Sequence, residues 1–336
     1  MGQLVILTSC LNNLKEPEVL KSYDMNCFDT ISIIISYAGD GEEKHKEISD
    51  EIFSLLKEYH NLFDIYNEVE GLTYLATINR KAGGDPLVVD QKLIDFLLYA
   101  KEIYYITNGE TNVMLGSVLK LWHDARVNAI ANPSGAKIPS IELLEEASTH
   151  TSIDNLEIDD EKNTVRIRDE KARIDVGALG KGYATEIAAR YLEAKGISGY
   201  VLNIGGNIRI IGSKLDGSGW ITGVRDPFSD GYSMYMDIKD TSCVTSGDYE
   251  RYFMVDEVKY HHIIDKDTLL PAVYFSSVTV ITKDSGLADA LSTALFTMDY
   301  ESGRTLVESL EGVDAYWITK DGQQFYTNGI VPIEKE

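Results

Sequence analysis

The apolar residues of this chain change their period along its length, and that change limits the fold more than any single motif does. In "EEKHKEISDEIFSLLKEYHNLFDIY" (42–66), Ile48, Ile52, Leu55, Leu56 and Tyr59 recur at helical spacing, and "DQKLIDFLLYAKEIYYIT" (90–107) repeats the pattern. A shorter helix is expected around 113–124, ending near Trp122, and the Asn, Pro, Ser and Gly of 126–140 read as a loop. "CFDTISIIISYAG" (27–39) is rich in β-formers, and "LEIDDEKNTVRIR" (156–168) reads as a hairpin turning at 159–163. Strands are expected again at 199–212, 220–225, 233–239, 251–264 and 276–281, with helices after Lys181 and over 285–298. Helices that cluster early and strands that run in hairpins predict an α+β fold, antiparallel sheets flanked by helices, rather than a doubly wound sheet.

With 336 residues, 44% of them hydrophobic, the chain can bury a large core without a disulfide or metal staple. Its net charge of −23 argues against non-specific nucleic-acid binding, which rests on basic patches. A polyanionic ligand would need local help from a lysine, a helix terminus or a bound cation. The cysteines, Cys10, Cys27 and Cys243, show no CxxC and no zinc-site spacing with histidine. Cys10 closes "LTSC", which resembles the lipobox of bacterial lipoproteins, although the nine residues before it carry no basic n-region. Residues 11–25 read as a polar tether, so the expected organisation is a tether over 1–24, with a residual lipoprotein signal, and one domain over 25–336. No run of about 20 apolar residues occurs that would span a membrane.

Five stretches carry the residues of interest for chemistry. "DVGALGKGYATE" (175–186) is neither a Walker A loop nor a dinucleotide fingerprint, because its glycines fall in the wrong order. It still runs a strand into a helix through small residues. Unpaired helix-start N–H groups and Lys181 would then make an anion site, with Asp175 free to bind a sugar or base. The alternative is a tight strand-to-helix turn with a surface lysine. In "ADALSTALF" (288–296), Asp289 and Thr293 share one helical face. They either offer oxygen ligands to a hard cation such as Mg²⁺ or serve as a helix-start acid and a packing residue. In "YHHIIDKDT" (260–268) adjacent histidines point to opposite faces of a strand, so one can meet a cleft as a general base with Asp265 nearby. "VLNIGGNIRIIG" (201–212) and "CVTSGDYERYF" (243–253) place small residues between strands, where a flat ligand can approach or the chain simply turns.

Taken together and in order, "DVGALGKGYATE", "NIGGNIRIIG", "VRDP", "VTSGDYERYF", "HHIID" and "ADALSTALF" resemble the FAD:protein FMN transferases, the ApbE-like family. "FDTISIIISY", "FDIYNEVEGLTYLATIN" and "GETNVMLGSVLKLW" look like its early blocks, so the resemblance covers about residues 25–330. It implies a T-fold-like α+β architecture and Mg²⁺-dependent transfer of FMN from FAD to a Thr or Ser hydroxyl of a target flavoprotein, with release of AMP. Asp175, Lys181 and the aromatic Tyr66 match FAD contacts, and Ile263 lies near another. Ala178, through its backbone carbonyl, matches a Mg²⁺ ligand together with Asp289 and Thr293, and His262 matches the base that deprotonates the acceptor. Where the family continues "HIID" with Pro and then Thr-Gly, this chain has Lys266 and Leu269.

The resemblance also implies an extracytoplasmic protein, lipid-anchored at Cys10. A Mg²⁺-dependent FAD pyrophosphatase would use the same metal and base with water as acceptor. A non-catalytic FAD-binding lipoprotein is the third reading, disfavoured by the intact His262, Asp289 and Thr293. "NPSGAKIPS" (132–140) faintly resembles a flavin acceptor, but Lys137 stands where the accepting Thr would be, so the acceptor is expected to be another protein.

Overall fold

The β-rich run at 27–39 proves to be the second half of a hairpin. In the computed structural model, which describes residues 19–37, 39, 41–67 and 73–334, β1 (Val19–Cys27) pairs antiparallel with β2 (Thr30–Tyr37). Phe28 and Asp29 turn the chain between them with φ of 57° and 52°. Residues 19–25, expected in a polar tether, are therefore an edge strand. Most of their side chains alternate between exposed and half-buried, the pattern of a strand with no apolar run to announce it. "LTSC", with Cys10, lies outside the described residues.

Helix α1 (Glu42–Phe63) buries the expected stripe of Ile48, Ile52, Leu56 and Tyr59. The short α2 (Leu75–Arg80) and β3 (Leu87–Val88) lead to α3 (Gln91–Ile106), whose Asp90 cap accepts the Lys92 N–H. Helix α4 (Gly116–Ala131) runs past its expected end, because nothing in "HDARVNAIA" breaks a helix until Asn132–Pro133. Ser140 caps α5 (Ile141–Ser148), which begins just past the segment read as a loop, where no element was expected. Strands β4 (Leu156–Asp159) and β5 (Thr164–Ile167) form the expected hairpin and join β3 in a three-stranded sheet.

From α6 (Gly180–Ala194) the chain enters β6 (Tyr200–Ile204) and β7 (Asn207–Ile211), joined through Gly205 and Gly206 at φ of 57° and 92°. A two-residue turn with both φ positive matches the twist of a hairpin, and a side chain at Gly205 would strike Thr30. Next come the hairpin of β8 (Trp220–Arg225) and β9 (Tyr232–Ile238), then β10 (Ser242–Gly247). The hairpin of β11 (Tyr252–Val255) and β12 (Val258–His261) precedes β13 (Phe275–Thr282) and α7 (Ser285–Thr297). Past 298, where no element was expected, lie α8 (Tyr300–Glu308), β14 (Asp314–Thr319) and β15 (Gln324–Tyr326).

The main sheet has eight antiparallel strands in the order β1-β2-β6-β7-β10-β13-β14-β15. Helices α6 and α7 pack side by side against β6, β7, β10 and β13. Strand β13 is buried on both sides, which is why "SSVTVI" shows no alternation. Val278 and Val280 meet Leu291, Leu295 and Phe296 of α7. Ile281 packs in a second cluster, where Met234 and Met236 of β9 meet Tyr316 and Ile318. The α+β expectation of antiparallel sheets flanked by helices holds.

One charged group crosses this packing. Arg209 of β7 is 0% exposed and lies 3.2 Å from Glu186 and 2.7 Å from Glu193, both on α6. Glu186 also accepts the Ser285 N–H at 3.0 Å, so a single ion pair ties the sheet, α6 and the start of α7 together. Breaking a buried pair strands the remaining charge. Arg209→Met is expected to lower unfolding free energy by about 3 kcal/mol, read from urea denaturation midpoints. A loss below about 1 kcal/mol would mean the pair is not a structural tie.

Candidate active site

The turn between Arg173 and α6 is held from below. Asp175 donates its N–H to the Val113 carbonyl at 2.8 Å, and its Oδ1 accepts the Gly177 N–H at 2.9 Å. Leu179 and Gly180 both donate to the Val176 carbonyl, at 3.1 and 2.8 Å. Gly182 then donates to Oδ2 of Asp289 on α7 at 2.8 Å. A Cβ on Gly182 would collide with the Cβ of Asp289 and the Ser285 carbonyl, so only glycine lets the two helices touch here.

This corrects the reading of the helix start as an open anion cradle. The N–H groups of Gly180 and Gly182 are already committed, one to the turn and one to a carboxylate. The same contact fixes Asp289, 4% exposed, with Lys181 Nζ 3.6 Å from its Oδ1. One helical turn further along, the Thr293 hydroxyl lies 3.4 Å from the Ser246 hydroxyl of β10. Ala178, Lys181, Asp289 and Thr293 all line one cleft. Ala178, Asp289 and Thr293 offer a backbone carbonyl, a carboxylate and a hydroxyl, all hard oxygens. Among the described residues no group of three or more His, Cys, Asp or Glu could hold a metal by itself. A site with one carboxylate suits an ion such as Mg²⁺, which keeps waters and borrows substrate phosphates.

The adjacent histidines have different tasks. His261 is buried; its Nε2 donates to the Ala272 carbonyl at 2.9 Å, and its Nδ1 accepts the Ile263 N–H at 3.3 Å. His262 opens into the cleft, and its Nδ1 lies 3.1 Å from the Arg251 carbonyl. A carbonyl only accepts, so Nδ1 carries the hydrogen and Nε2 keeps its lone pair. Desolvation by the cleft wall, then the positive charges of Arg251 and Arg126, hold the imidazole well below its ordinary pKa. Water in the open cleft tempers the first effect; the two cations act in the same direction. Asp265 is not a partner of this ring. Its Oδ1 accepts the N–H groups of Asp267 and Thr268 at 2.8 and 3.0 Å, closing the following loop.

That loop carries the two departures from the family pattern. Leu269 has a φ of 62°, the left-handed region that favours glycine. Its side chain is 6% exposed and packs in the apolar cluster of Leu115, Val118 and Trp122, while its carbonyl accepts the Trp122 indole N–H at 2.9 Å. Burial thus offsets the backbone strain. Lys266, in place of proline, lies 3.2 Å from Glu110, which also accepts the Thr297 hydroxyl at 3.0 Å.

The cleft, about 810 Å³, joins these pieces. Asp175 lies in its wall, where desolvation pushes its carboxyl pKa up against the pull of the Gly177 N–H, His123, Arg173 and Arg126. Tyr66, 60% exposed, stacks on His123 with ring centroids 4.7 Å apart and places its hydroxyl 3.0 Å from Nδ1. Ile263 reaches the cleft too, but it is 5% exposed and packs with Phe275 and Val278, so it shapes the wall rather than projecting from it. All eight residues singled out in the sequence therefore converge on one cavity.

Sequence reasoning missed His123, Arg126 and Arg251 as lining residues. Ending α4 at 124 concealed the first two. Continued to 131, the helix places Leu115, Leu119, His123 and Arg126 on one stripe, which faces the cleft. The buried Nδ2 of Asn207 also lies at the cleft without a hydrogen-bond partner.

The sheet and the paired helices of this α+β scaffold frame a cleft with room for a large ligand beside His262. A family model described as the ApbE family matches residues 25–317. A protein of Treponema pallidum named FAD:protein FMN transferase is 31% identical over 298 residues, 84% of this chain and 80% of that protein. A Klebsiella pneumoniae protein of the same name is 28% identical over 277 residues, 82% and 83% of the two chains. The crystal structure of the ApbE protein of Thermotoga maritima superimposes with a TM-score of 0.81 at 30% identity, covering 93% of this chain and 98% of that one. The flavin transferase ApbE from Vibrio cholerae does so at 0.78 and 26%, with the same coverage. The chain belongs to the ApbE family.

Two outcomes are expected of this geometry. Leu269→Gly removes roughly 1 kcal/mol of strain but also a buried side chain of larger worth, so stability should fall by about 1–3 kcal/mol in urea melts. A gain would show that strain outweighs packing. The second concerns pH. His261 and His262 are both depressed, so below about 6.5 the unfolded chain takes up protons that the folded chain does not, and stability falls with pH. His262→Asn should therefore lose less stability between pH 7 and pH 5 than the parent does. Parallel losses would show that His262 titrates normally when folded.

Proposed function

We propose that this protein transfers the FMN half of FAD to a Thr or Ser hydroxyl of another protein and releases AMP. The observation that carries the reading is His262. It is an imidazole of fixed tautomer, kept neutral, with Nε2 facing a cleft that also holds the oxygen set of Asp289, Thr293 and Ala178. Family membership supports the substrate, since the relatives above are named for transfer from FAD to protein.

In the reaction, the acceptor hydroxyl oxygen bonds to the phosphorus of the FMN phosphate as its proton passes to Nε2 of His262. The phosphoanhydride bond to the AMP phosphate breaks, and AMP leaves with the bonding pair. Asp289, Thr293 and the Ala178 carbonyl would hold Mg²⁺, which when bound neutralises charge on the pyrophosphate. Lys181 adds a cation at the same end. Tyr66, stacked on His123, offers a flat face to an aromatic ring of FAD, and Asp175 a carboxyl to a ribose or base edge. A location outside the cytoplasm and a lipid anchor at Cys10 belong to the same proposal, supported by "LTSC" alone.

The test is to mix the protein with FAD, Mg²⁺ and a candidate acceptor domain and to follow AMP and acceptor mass together. The reading predicts one FMN per acceptor with stoichiometric AMP. AMP and free FMN without labelling would make the protein a pyrophosphatase, and bound FAD without AMP a flavin store. His262→Ala should retain FAD and lose about 10²–10⁴-fold in transfer rate. Asp289→Ala should weaken the Mg²⁺ requirement; an unchanged metal titration removes that residue from the site.

A further inference from the structure

The cations lining the cleft are not equivalent. Lys181 lies 3.6 Å from Asp289 and Arg225 lies 3.7 Å from Glu250, whereas Arg126 and Arg251 have no carboxylate at ion-pair distance among the described residues. In a chain of net charge −23, guanidinium groups without such a partner in a concave site need a reason. Arg126 is half-buried near the end of α4, with its guanidinium 3.5 Å from the His123 ring, and desolvation lowers its pKa. Arg251 precedes β11, and its carbonyl accepts both the backbone N–H and the Nδ1 hydrogen of His262, each at 3.1 Å. The residue that orients the imidazole thus contributes its own cation to the cleft.

We propose that Arg126 and Arg251 form an anion subsite that holds the phosphoryl group being transferred. The inference rests on the transferase reading above. Three observations converge on it. The helix-start N–H groups of Gly180 and Gly182 are spent within the protein, so they leave the phosphate to other donors. Arginine in turn presents the planar fork that matches phosphate oxygens. The two guanidinium groups also sit close enough to each other and to His262 that each charge disfavours protonating the ring. An anion between them cancels that field, so the ring gains proton affinity when the phosphate it must serve is in place. The subsite is therefore a positioning device for the phosphoryl group and a means of readying the base.

The experiment compares FMN with riboflavin, which lacks the phosphate, by fluorescence titration of the full chain in chelator without metal. The parent protein should prefer FMN by about 10-fold or more, the worth of a charge-assisted hydrogen bond. Arg126→Gln and Arg251→Gln should each reduce that preference, the double variant should abolish it, and Arg251→Lys should keep part of it. Riboflavin affinity should stay level throughout, which reports an intact flavin site. A parent with no preference for FMN, or a double variant that retains it, overturns the proposal. Failure of the transferase reading looks different: the parent labels no acceptor whatever these ratios are.

Discussion

The hydrogen bond from the Gly182 N–H to Asp289 is the constraint on which the rest of the site depends. It forms only because residue 182 has no side chain, and it brings the start of α6 against the face of α7. Lys181 and Ala178 come from one side of that contact, Asp289 and Thr293 from the other. The Glu186–Arg209 pair, one turn along α6, secures the same crossing to the sheet and to the Ser285 N–H. A buried carboxylate fixed by a backbone donor and facing a lysine is a strong, immobile charge in a water-poor place. Such a charge is suited to hold an ion that must not move while a substrate phosphate completes its coordination.

Electrostatics explains how an acidic protein can receive a polyanion. The net charge is −23, and the cleft lining carries Asp29, Asp64, Glu110, Asp175, Glu250 and Asp289 as well as Lys181, Arg126, Arg225 and Arg251, so attraction depends on where the cations stand rather than on their number. Attraction is thus local, and the low dielectric of the cleft makes it stronger than the same charges would be in water. The price is a histidine with weakened proton affinity, which is also what keeps its Nε2 free.

Much of this was legible in the residues. The stripes of α1 and α3 follow from period, and the hairpin at 156–168 and the strand before α7 from runs of β-forming residues bounded by turn residues. The candidate site residues came from an ordered set of motifs, and the fold brings all eight to one cleft. Proximity was the missing information: nothing in "GKG" says that the Gly182 N–H is spent on a carboxylate 107 positions away. Likewise the edge strand β1 has no apolar run to announce it, and α4 extends through polar positions whose cleft-facing stripe is visible only once the helix is continued. Leu269 reads as a departure in sequence, whereas in the fold it takes the left-handed backbone that favours glycine and its side chain anchors the loop under Trp122.

Crystals soaked with FAD and Mn²⁺ in place of Mg²⁺ would test the account most directly, through the anomalous difference map at the manganese edge. The account predicts one peak bounded by Asp289, Thr293 and the Ala178 carbonyl, touching the pyrophosphate, with the ring of FAD against Tyr66. A metal bound elsewhere in the cleft, or FAD seated with its pyrophosphate away from Asp289 and His262, would contradict it.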